Sequence, residues 1–334
     1  MENTLSINDK TTAAQVATLN DDDKARFARN VVDTMARETI RSYKSRLSAF
    51  SAWCAASGRS ALPASSATVA AYLEECERQG KTSATICQIV AAISKAHRVE
   101  GLENPCLSEV VRTARKAARR RLGVAPHQKA AATTDVIRAV VSAIDGGALA
   151  DKRDKALLLC GFAGAFRRSE LAALRVSDLV EEKSPDGRPV LVVTVRKSKT
   201  DQLGEGMTKA IFAARPRDKK FCPVLALRAW IAASGLSGED PLFPRIRKGG
   251  QLDARPVSMG GDSVALIVKR RAAAAGVELD LSGHSLRRGF VTSAISAGAS
   301  ERAIMNQTGH RSPMMVRRYI ERASVVTDNA AALL

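Results

Sequence analysis

Four short segments combine residue types that could act on a phosphate group. They are GAFRRSEL (164–171), RKSKT (196–200), SGHSLRRGF (282–290) and TGHRSPMMVRRYI (308–320). Guanidinium groups stay charged and bind two oxygens at once, whereas histidine and lysine can exchange protons. A tyrosine hydroxyl can act as a nucleophile if neighbouring cations or a base assist it. Together these residue types could cleave a phosphodiester with arginines in the place of a metal ion.

Spacing groups some of these side chains in pairs. Arg167 and Glu170 are three residues apart, as are His284 and Arg287, so a helix would place each pair on one face. Lys199 follows a predicted strand and lies in a predicted turn. Taken singly, each pattern is also typical of an ordinary surface: a solvated ion pair, a solvated lysine or a capping histidine.

The last segment contains signals that break one helix and start another. Gly309 predicts the end of a helix, and Ser312 followed by Pro313 predicts the N-cap and first residue of the next. His310 would then lie in the bend and Tyr319 about two turns into the new helix. The segment therefore predicts that His310 and Tyr319 lie on separate elements and can approach the same phosphate group.

The charge of the chain indicates a polyanionic partner. Lys and Arg number 52 against 34 Asp and Glu, a net charge of +18 over 334 residues. The basic excess is present on both sides of residue 130, which favours nucleic acid gripped by two modules. A membrane-surface role is disfavoured because we find no basic amphipathic helix with exposed aromatic residues.

Several classes of protein are disfavoured by what the sequence lacks. It has no apolar run of about 20 residues and no apolar signal core at its start, which predicts a cytoplasmic protein. The six cysteines form no CxxC pair, so we expect buried free thiols and no metal site. Phosphate-cradling and dinucleotide-binding glycine motifs are missing, so we expect no cofactor.

Periodicity and punctuation divide the chain into four parts. Residues 1–20 are predicted to be a flexible tail, residues 21–122 an all-helical module, residues 123–130 a linker and residues 131–334 a second module. The first module predicts DNA contacts through basic residues of its first long helix and its last helix: Arg41, Lys44, Arg112, Arg115, Lys116, Arg119, Arg120 and Arg121.

The second module is predicted to be helical with a small antiparallel sheet. A hairpin spans 178–182 and 189–197 around the turn SPDG, and a third strand covers 207–212. The fold class is therefore mainly α with a small antiparallel β-sheet.

Order and separation make the four segments specific as a set. The succession FRRSEL, hairpin lysine, SGHSLRRG, TGH and a tyrosine nine residues after that histidine resembles the active-site pattern of the tyrosine recombinase (phage integrase) family, and most closely its Cre-like members. The resemblance covers residues 30–334. It implies an all-helical core-binding (SAM-like) domain at 21–122 and a mixed α/β catalytic domain at 131–334.

The resemblance also implies roles. Tyr319 would attack the scissile phosphate to give a 3′-phosphotyrosyl intermediate. Arg167 and Arg287 would hold the non-bridging oxygens, with Glu170 orienting the site. The remaining residues would serve as follows: Lys199 protonates the leaving 5′-oxygen, His284 acts as base or hydrogen-bond donor, and His310 binds the phosphate. No metal or ATP is needed, since the covalent link conserves the phosphodiester energy.

The resemblance predicts a site-specific recombinase acting on double-stranded DNA with an inverted-repeat site, as a homotetramer on synapsed DNA. The apolar segment 325–334 would be a C-terminal helix that docks into a neighbouring protomer, or else packs in its own protomer. Two alternatives remain open at this point: a type IB topoisomerase-like nicking and closing enzyme, and a catalytically silent DNA-binding protein.

Overall fold

The computed structural model describes residue 16 and residues 18–124, 129–198, 201, 205–310, 312–314 and 316–317. By its internal contacts the chain divides into two compact units, Met1–His127 and Gln128–Leu334. This division falls within the segment 123–130 that the sequence marks as a linker.

The described part of the N-terminal unit consists of helices whose starts are set by side-chain caps. Ser65, Thr82 and Ser108 each accept the N–H of the residue three positions later, as N-cap residues do. Its helices are α1 (Asp21–Asp33), α2 (Arg37–Ala56), α3 (Ser66–Arg78), α4 (Ser83–Val99), a 3₁₀ turn (Pro105–Leu107) and α5 (Glu109–Leu122).

One apolar cluster holds the N-terminal unit together. Phe50 of α2, Leu73 of α3 and Ile86 of α4 are almost fully buried within it. Tyr72 is also buried there, with its ring centroid 5.0 Å from that of Phe50. Burial raises the pKa of the Tyr72 hydroxyl, so this tyrosine serves packing, as its place in an apolar stripe predicts.

The described part of the second unit surrounds a three-stranded sheet with helices. Its helices are α6 (Thr134–Ser142), α7 (Leu149–Ala163), α8 (Arg168–Ala173), α9 (Pro223–Ser234), α10 (Gly261–Ala274), α11 (Gly283–Ser296) and α12 (Glu301–Thr308), with 3₁₀ turns at Val176–Asp178 and Pro216–Phe221. Its strands are β1 (Leu179–Lys183), β2 (Pro189–Val195) and β3 (Met207–Phe212).

The sheet is antiparallel in the order β1-β2-β3. Val192 of β2 pairs with Val180 of β1 and with Ala210 of β3. The predicted hairpin and third strand are therefore present, and β3 has the predicted bounds. Alternation along β3 buries Lys209 and Ile211 on the same face, which places a lysine side chain in the interior.

The core of the second unit lies between α7 and α9. Leu157 and Leu158 of α7 are buried, and so is Trp230 of α9, whose Nε1 donates to the Leu242 carbonyl at 2.7 Å. Gly289 of α11 permits a close backbone approach, because a Cβ there would lie 1.8 Å from the Ala132 carbonyl oxygen. This packing fixes the helices that carry the candidate site.

A smaller apolar cluster joins the last described residues to the same unit. Val291 of α11, Ile304 of α12 and Val316 are each almost fully buried together. Arg317 lies beside Glu301, with Nε 3.4 Å from the carboxylate. The chain just before Tyr319 is thus anchored on α11 and α12.

Two further observations concern the cysteines and the lengths of the apolar helices. All six cysteines are free, five of them buried and Cys87 half-buried, in keeping with the thiols expected from the sequence. Within the described ranges, the structure contains no helix of the length and apolarity that a bilayer crossing requires.

Candidate active site

Arg167 and Glu170 meet through helix capping. The sequence predicts that both lie within one helix, but α8 begins at Arg168, and Arg167 is its extended N-cap residue (φ −68°, ψ 150°). The buried Glu170 carboxylate reaches back, so that Oε2 accepts the Arg167 N–H at 2.9 Å and Oε1 accepts Nη1. Arg167 and Glu170 interact, as their spacing predicts. They do so across the N-terminal cap of α8 and not along one helical face, because the chain turns immediately before the helix.

That turn contains a backbone conformation that L-residues rarely adopt. Ala165 has φ +46°, in the left-handed region where a Cβ is unfavourable. Its carbonyl oxygen accepts from Arg287 Nη1 at 3.0 Å and from Lys209 Nζ at 3.3 Å. Two cationic side chains therefore bind the strained carbonyl two residues before Arg167.

Arg287 is held on the buried face of α11. The helix starts at a cap in which the Ser282 side chain accepts from the His284 N–H. Arg287 is 3 % exposed, and its Nη1 also donates to the Thr308 carbonyl at 2.6 Å. Its Nη2 lies 3.0 Å from Nε2 of His310. These contacts fix the guanidinium in one orientation.

The hydrogen bonds of His310 define its tautomer. Arg287 Nη2 can only donate, so His310 Nε2 is the acceptor and the proton resides on Nδ1. Nδ1 lies 2.8 Å from Thr308 Oγ1, which in turn donates to the Ile304 carbonyl. Burial, followed by the charges of Arg287 and Arg167, lowers the pKa of His310 to about 4. His310 is therefore neutral at pH 7.

Gly309 sets the position of His310. It ends α12 in the left-handed conformation (φ +68°), and its N–H donates to the Met305 carbonyl at 2.7 Å. A Cβ there would lie 2.5 Å from Cε at the flexible end of the Met207 side chain, which can move, so the positive φ is what makes the position require glycine. The predicted helix-ending role of Gly309 is confirmed.

His284 lies one turn before Arg287 on α11 and reaches solvent. Desolvation by the surrounding atoms, followed by the charges of Arg287 and Arg167, lowers its pKa. Arg287 and Arg167 therefore lie close enough to His284 for their charges to lower its pKa, which agrees with the predicted grouping of these three residues.

Two predicted residues, Lys199 and Tyr319, lie outside the described residues. Near Lys199, Ser198 and Asp201 exchange backbone hydrogen bonds of 3.1 and 3.2 Å. On the strand side, Arg196 donates to Asp178 at 2.6 Å. In sequence, Lys199 thus follows a segment that Arg196 ties to the second unit, and Tyr319 follows Val316, which is buried in that unit.

Sequence reasoning missed two residues of the site. Thr308 orients His310, and its only sequence signal is its position beside the GH pair. Lys209 is buried among Gly164, Ala165 and Glu170. Its signal was available, since a lysine on the inward face of an apolar strand is rare unless it is paired.

The predicted DNA contacts of the N-terminal unit differ in their surroundings. Arg121 forms a two-point ion pair with Glu77, and Arg112 donates to the Leu107 carbonyl. Arg41 pairs with Glu38 at 2.8 Å. The others are exposed, except that Arg115 is half-buried: Lys44, Arg115, Lys116, Arg119 and Arg120.

The assembled group suits a phosphodiester that gains charge during attack. Arg167 and Arg287 supply fixed guanidinium forks, and a neutral imidazole lies at the edge of Arg287. Donors fixed before reaction stabilise developing negative charge without the cost of reorganisation. The arrangement can hold a phosphate and polarise it.

Comparison with known proteins identifies the class. The Phage integrase family model matches residues 131–324, more than half of the chain. The chain belongs to the phage integrase family. The family's N-terminal SAM-like domain also matches, over residues 30–103.

Among curated proteins, this phage integrase family member resembles the "Integrase/recombinase xerD homolog" of Selenomonas ruminantium. The two are 37% identical over 306 residues, which cover 90% of this chain and 86% of the relative. It is also 26% identical to "Recombinase cre" of Escherichia phage P1 over 303 residues, covering 85% and 84% of the two chains.

Solved structures show the same fold. A lambda integrase fragment, residues 75–356, seen as a dimer bound to a COC′ core site, superposes with a TM-score of 0.59 at 17% identity. The match covers 89% of this chain and 93% of that one. The predicted fold, mainly α with a small antiparallel sheet, is confirmed.

Family membership establishes the activity. The protein is a tyrosine recombinase, a DNA strand-transferring enzyme, and its relatives support site-specific recombination. The predicted family, enzyme class and function are confirmed. The type IB topoisomerase-like alternative is not favoured.

Proposed function

We propose that Tyr319 is the nucleophile and that it attacks a phosphate held by Arg167, Arg287 and His310. His310 would donate to the phosphate in its other tautomer, with the proton on Nε2 in place of the contact with Arg287 and with Nδ1 accepting from Thr308 Oγ1. The observation that carries the proposal is the Arg287–His310 contact at 3.0 Å, because it joins the buried guanidinium to a histidine nine residues before Tyr319. Val316, three residues before Tyr319, is buried against α11, the helix that carries Arg287. Both observations support delivery of Tyr319 to this site.

The other tyrosines do not suit the role. Tyr72 is buried in the core of the N-terminal unit, and burial raises the pKa of its hydroxyl. Tyr43 is half-buried on α2, in the same unit as Tyr72. A nucleophile needs cations nearby to attack at neutral pH, and Tyr319 is the one tyrosine of the sequence in the unit that carries the arginine pair.

In the proposed reaction the tyrosyl oxygen bonds to phosphorus and the bond from phosphorus to the 5′-oxygen breaks. The tyrosine gives up its proton, with His284 as base or hydrogen-bond donor. Lys199 transfers a proton to the departing 5′-oxygen, which leaves as a hydroxyl. Religation reverses these steps, so the bond energy is retained without a nucleotide cofactor.

Covalent capture tests this proposal. The full chain is incubated with fragmented double-stranded DNA, denatured, and digested with protease and nuclease. We expect a nucleotide remnant on the peptide that contains Tyr319, and sequencing of the captured DNA gives the cleavage point and the site. The linked DNA end should be the 3′-phosphate, with a free 5′-hydroxyl on the other strand end.

A remnant on another residue would contradict the assignment of Tyr319. A remnant on the 5′-phosphate would contradict the proposed polarity. If denatured protein carries no DNA at all, the catalytic proposal is wrong for this chain.

We also propose that the DNA partner is a duplex with an inverted-repeat site, bound by four copies of the chain, in the cytoplasm. Two structural neighbours support the assembly: a lambda integrase tetramer bound to a Holliday junction (TM-score 0.59) and XerH bound to palindromic difH substrate (TM-score 0.54). The segment 325–334, outside the described residues, would dock into the neighbouring copy. Free cysteines suit a reducing compartment.

The N-terminal unit is proposed to contact the DNA backbone through α5. Lys116, Arg119 and Arg120 are exposed, and the spacing of three and four residues from Lys116 places them along one side of the helix. We expect Arg119→Ala/Arg120→Ala to weaken binding to random-sequence duplex DNA. The slope of log affinity against log salt concentration should fall by about 2, since each phosphate contact contributes about 1.

The matched control for that variant is Arg78→Ala. Arg78 is exposed on α3, and its charge is already paired with Glu75 at 2.7 Å. The salt slope should stay the same in this variant. Equal slopes for the α5 variant and the unchanged protein would rule out phosphate contacts by Arg119 and Arg120.

A further inference from the structure

Lys209 of β3 has no solvent exposure in its side chain and binds the turn that precedes Arg167. Its Nζ donates to the Gly164 carbonyl at 2.9 Å and to the Ala165 carbonyl at 3.3 Å. The Ala165 carbonyl also accepts from Arg287. Lys209 and Arg287 thus share the Ala165 carbonyl oxygen as an acceptor. Lys209 also holds Gly164 and Ala165, the residues three and two positions before Arg167.

The charged surroundings of Lys209 are compatible with an ammonium group. The Glu170 carboxylate lies 3.8 Å from Nζ, and the Phe166 ring centroid lies 4.8 Å from it. An aromatic face attracts a cation, and the effect is larger when water is excluded. The positive charges of Arg287 and Arg167 act in the opposite direction, because they repel an ammonium group at Nζ.

We propose that the Lys209 ammonium is a positioning residue for strand cleavage, which holds the Gly164–Ala165 turn so that Arg167 and Arg287 address one phosphate. The proposal rests on the phosphate-binding role proposed above for the two arginines. Lys209 itself contacts the turn and Glu170, so it acts through the residues that bind the phosphate.

The strained turn explains why such a residue is needed. Ala165 is held at φ +46°, and backbone of this kind persists only where its surroundings enforce it. Without Lys209, the Gly164 carbonyl would lose the 2.9 Å hydrogen bond that connects it to strand β3. A shift of about 1 Å in a substrate-binding group can cost about 10²-fold in rate.

The protonation state gives the proposal a pH signature. Burial, opposed by Glu170 and reinforced by Arg287 and Arg167, lowers the pKa of Lys209 to about 7. The ammonium is therefore lost as the pH rises through neutrality. Among the described residues, His310 also has a pKa that the Lys209 charge lowers, and it is already neutral across this range.

The test compares Lys209→Met with the unchanged full chain on the duplex site recovered by covalent capture. We expect single-turnover cleavage to be slower by about 30- to 100-fold near pH 6, with DNA affinity within about threefold. The ratio of the two rates should shrink as the pH rises from about 6 to about 9, because deprotonation weakens the charge-assisted bonds from Nζ to the two carbonyls, which the variant lacks at every pH.

Thr208→Val is the matched control, since Thr208 is the exposed neighbour of Lys209 on β3. It should cleave at the rate of the unchanged protein. The proposal is overturned if Lys209→Met cleaves within about threefold of normal, if its defect is lost affinity or unfolding, or if the rate ratio is independent of pH. If the unchanged protein forms no adduct, the proposed function has failed instead.

A measurement without DNA tests the ammonium directly. In an NMR spectrum selective for lysine side chains, a slowly exchanging ammonium signal is expected near pH 6 and should be missing from Lys209→Met. If the unchanged protein shows no such signal, the ammonium form is not the acting species and the proposal fails.

Discussion

Replacement of Arg287 with alanine is expected to slow DNA strand cleavage by at least about 10²- to 10³-fold. Loss of a single fixed donor to a developing oxyanion costs about this factor, and Arg287 is charged as well. Its guanidinium is 3 % exposed and is already oriented by the Ala165 and Thr308 carbonyls. No reorganisation is then needed when a phosphate binds.

The loss extends beyond one donor because Arg287 also orients His310. Without the Nη2 contact at 3.0 Å, the imidazole loses the partner of its Nε2 atom. Arg287→Lys keeps a charge but lacks the planar fork, so it should recover only part of the rate. The measurement is single-turnover cleavage at saturating protein, with binding followed separately.

Arg288→Ala is the comparison that discriminates between the two adjacent arginines. Arg288 donates to the Lys129 carbonyl, on the segment that precedes α6. Its replacement should leave the cleavage rate within about tenfold of normal. If the Arg288 variant is as slow as the Arg287 variant, the assignment of Arg287 by its three-residue spacing from His284 is wrong.

The predictions that succeeded rest on local signals. Strand β3 follows from a short run of strand-forming residues after a glycine-containing turn, a signal that acts over a few residues. Gly309 was predicted from its type, and the structure shows the left-handed φ that requires it. Arg287 and His310 remain candidate site residues, and the fold brings their side chains to 3.0 Å of each other.

The predictions that failed depend on tertiary contacts. The spacing of Arg167 and Glu170 is the same for a helical pair and for a cap, and the turn at Ala165 decides between them. Lys209 appears in sequence as one polar residue of a strand. Its partners, Gly164 and Ala165, lie more than forty positions earlier, and no periodicity connects them.

The second large effect is on stability: Asp154→Ala should destabilise the second unit by about 3–5 kcal/mol. Asp154 of α7 is fully buried, and its carboxylate accepts from three arginines: Arg153 at 2.8 Å, Arg270 at 2.7 Å and Arg271 at 2.7 Å. Removing one partner of a buried ion pair leaves the remaining charge uncompensated, which costs about this amount.

The side-chain exposures of the three arginines indicate which of them would stay buried without a counter-charge. Arg153 is 8 % exposed in its side chain and Arg271 is 17 % exposed, so neither can recover full hydration. Arg271 keeps a bond to Asp151 at 2.6 Å, whereas Arg270 is 62 % exposed and can turn to solvent. Most of the penalty therefore falls on Arg153, and α10 loses the contacts of Arg270 and Arg271 with Asp154 while it keeps the Arg271–Asp151 bond to α7.

Calorimetry of the full chain measures the effect as a fall of about 6–20 °C in the Tm of the second unit, at about 2–4 °C for each kcal/mol. Asp186→Ala is the control, because its pair with Arg188 is about half exposed and such pairs contribute about 0–1 kcal/mol. A loss below about 1 kcal/mol for Asp154→Ala would mean that the arginines rearrange to reach water. The Asp154 cluster would then serve the register of α7 and α10 more than their stability.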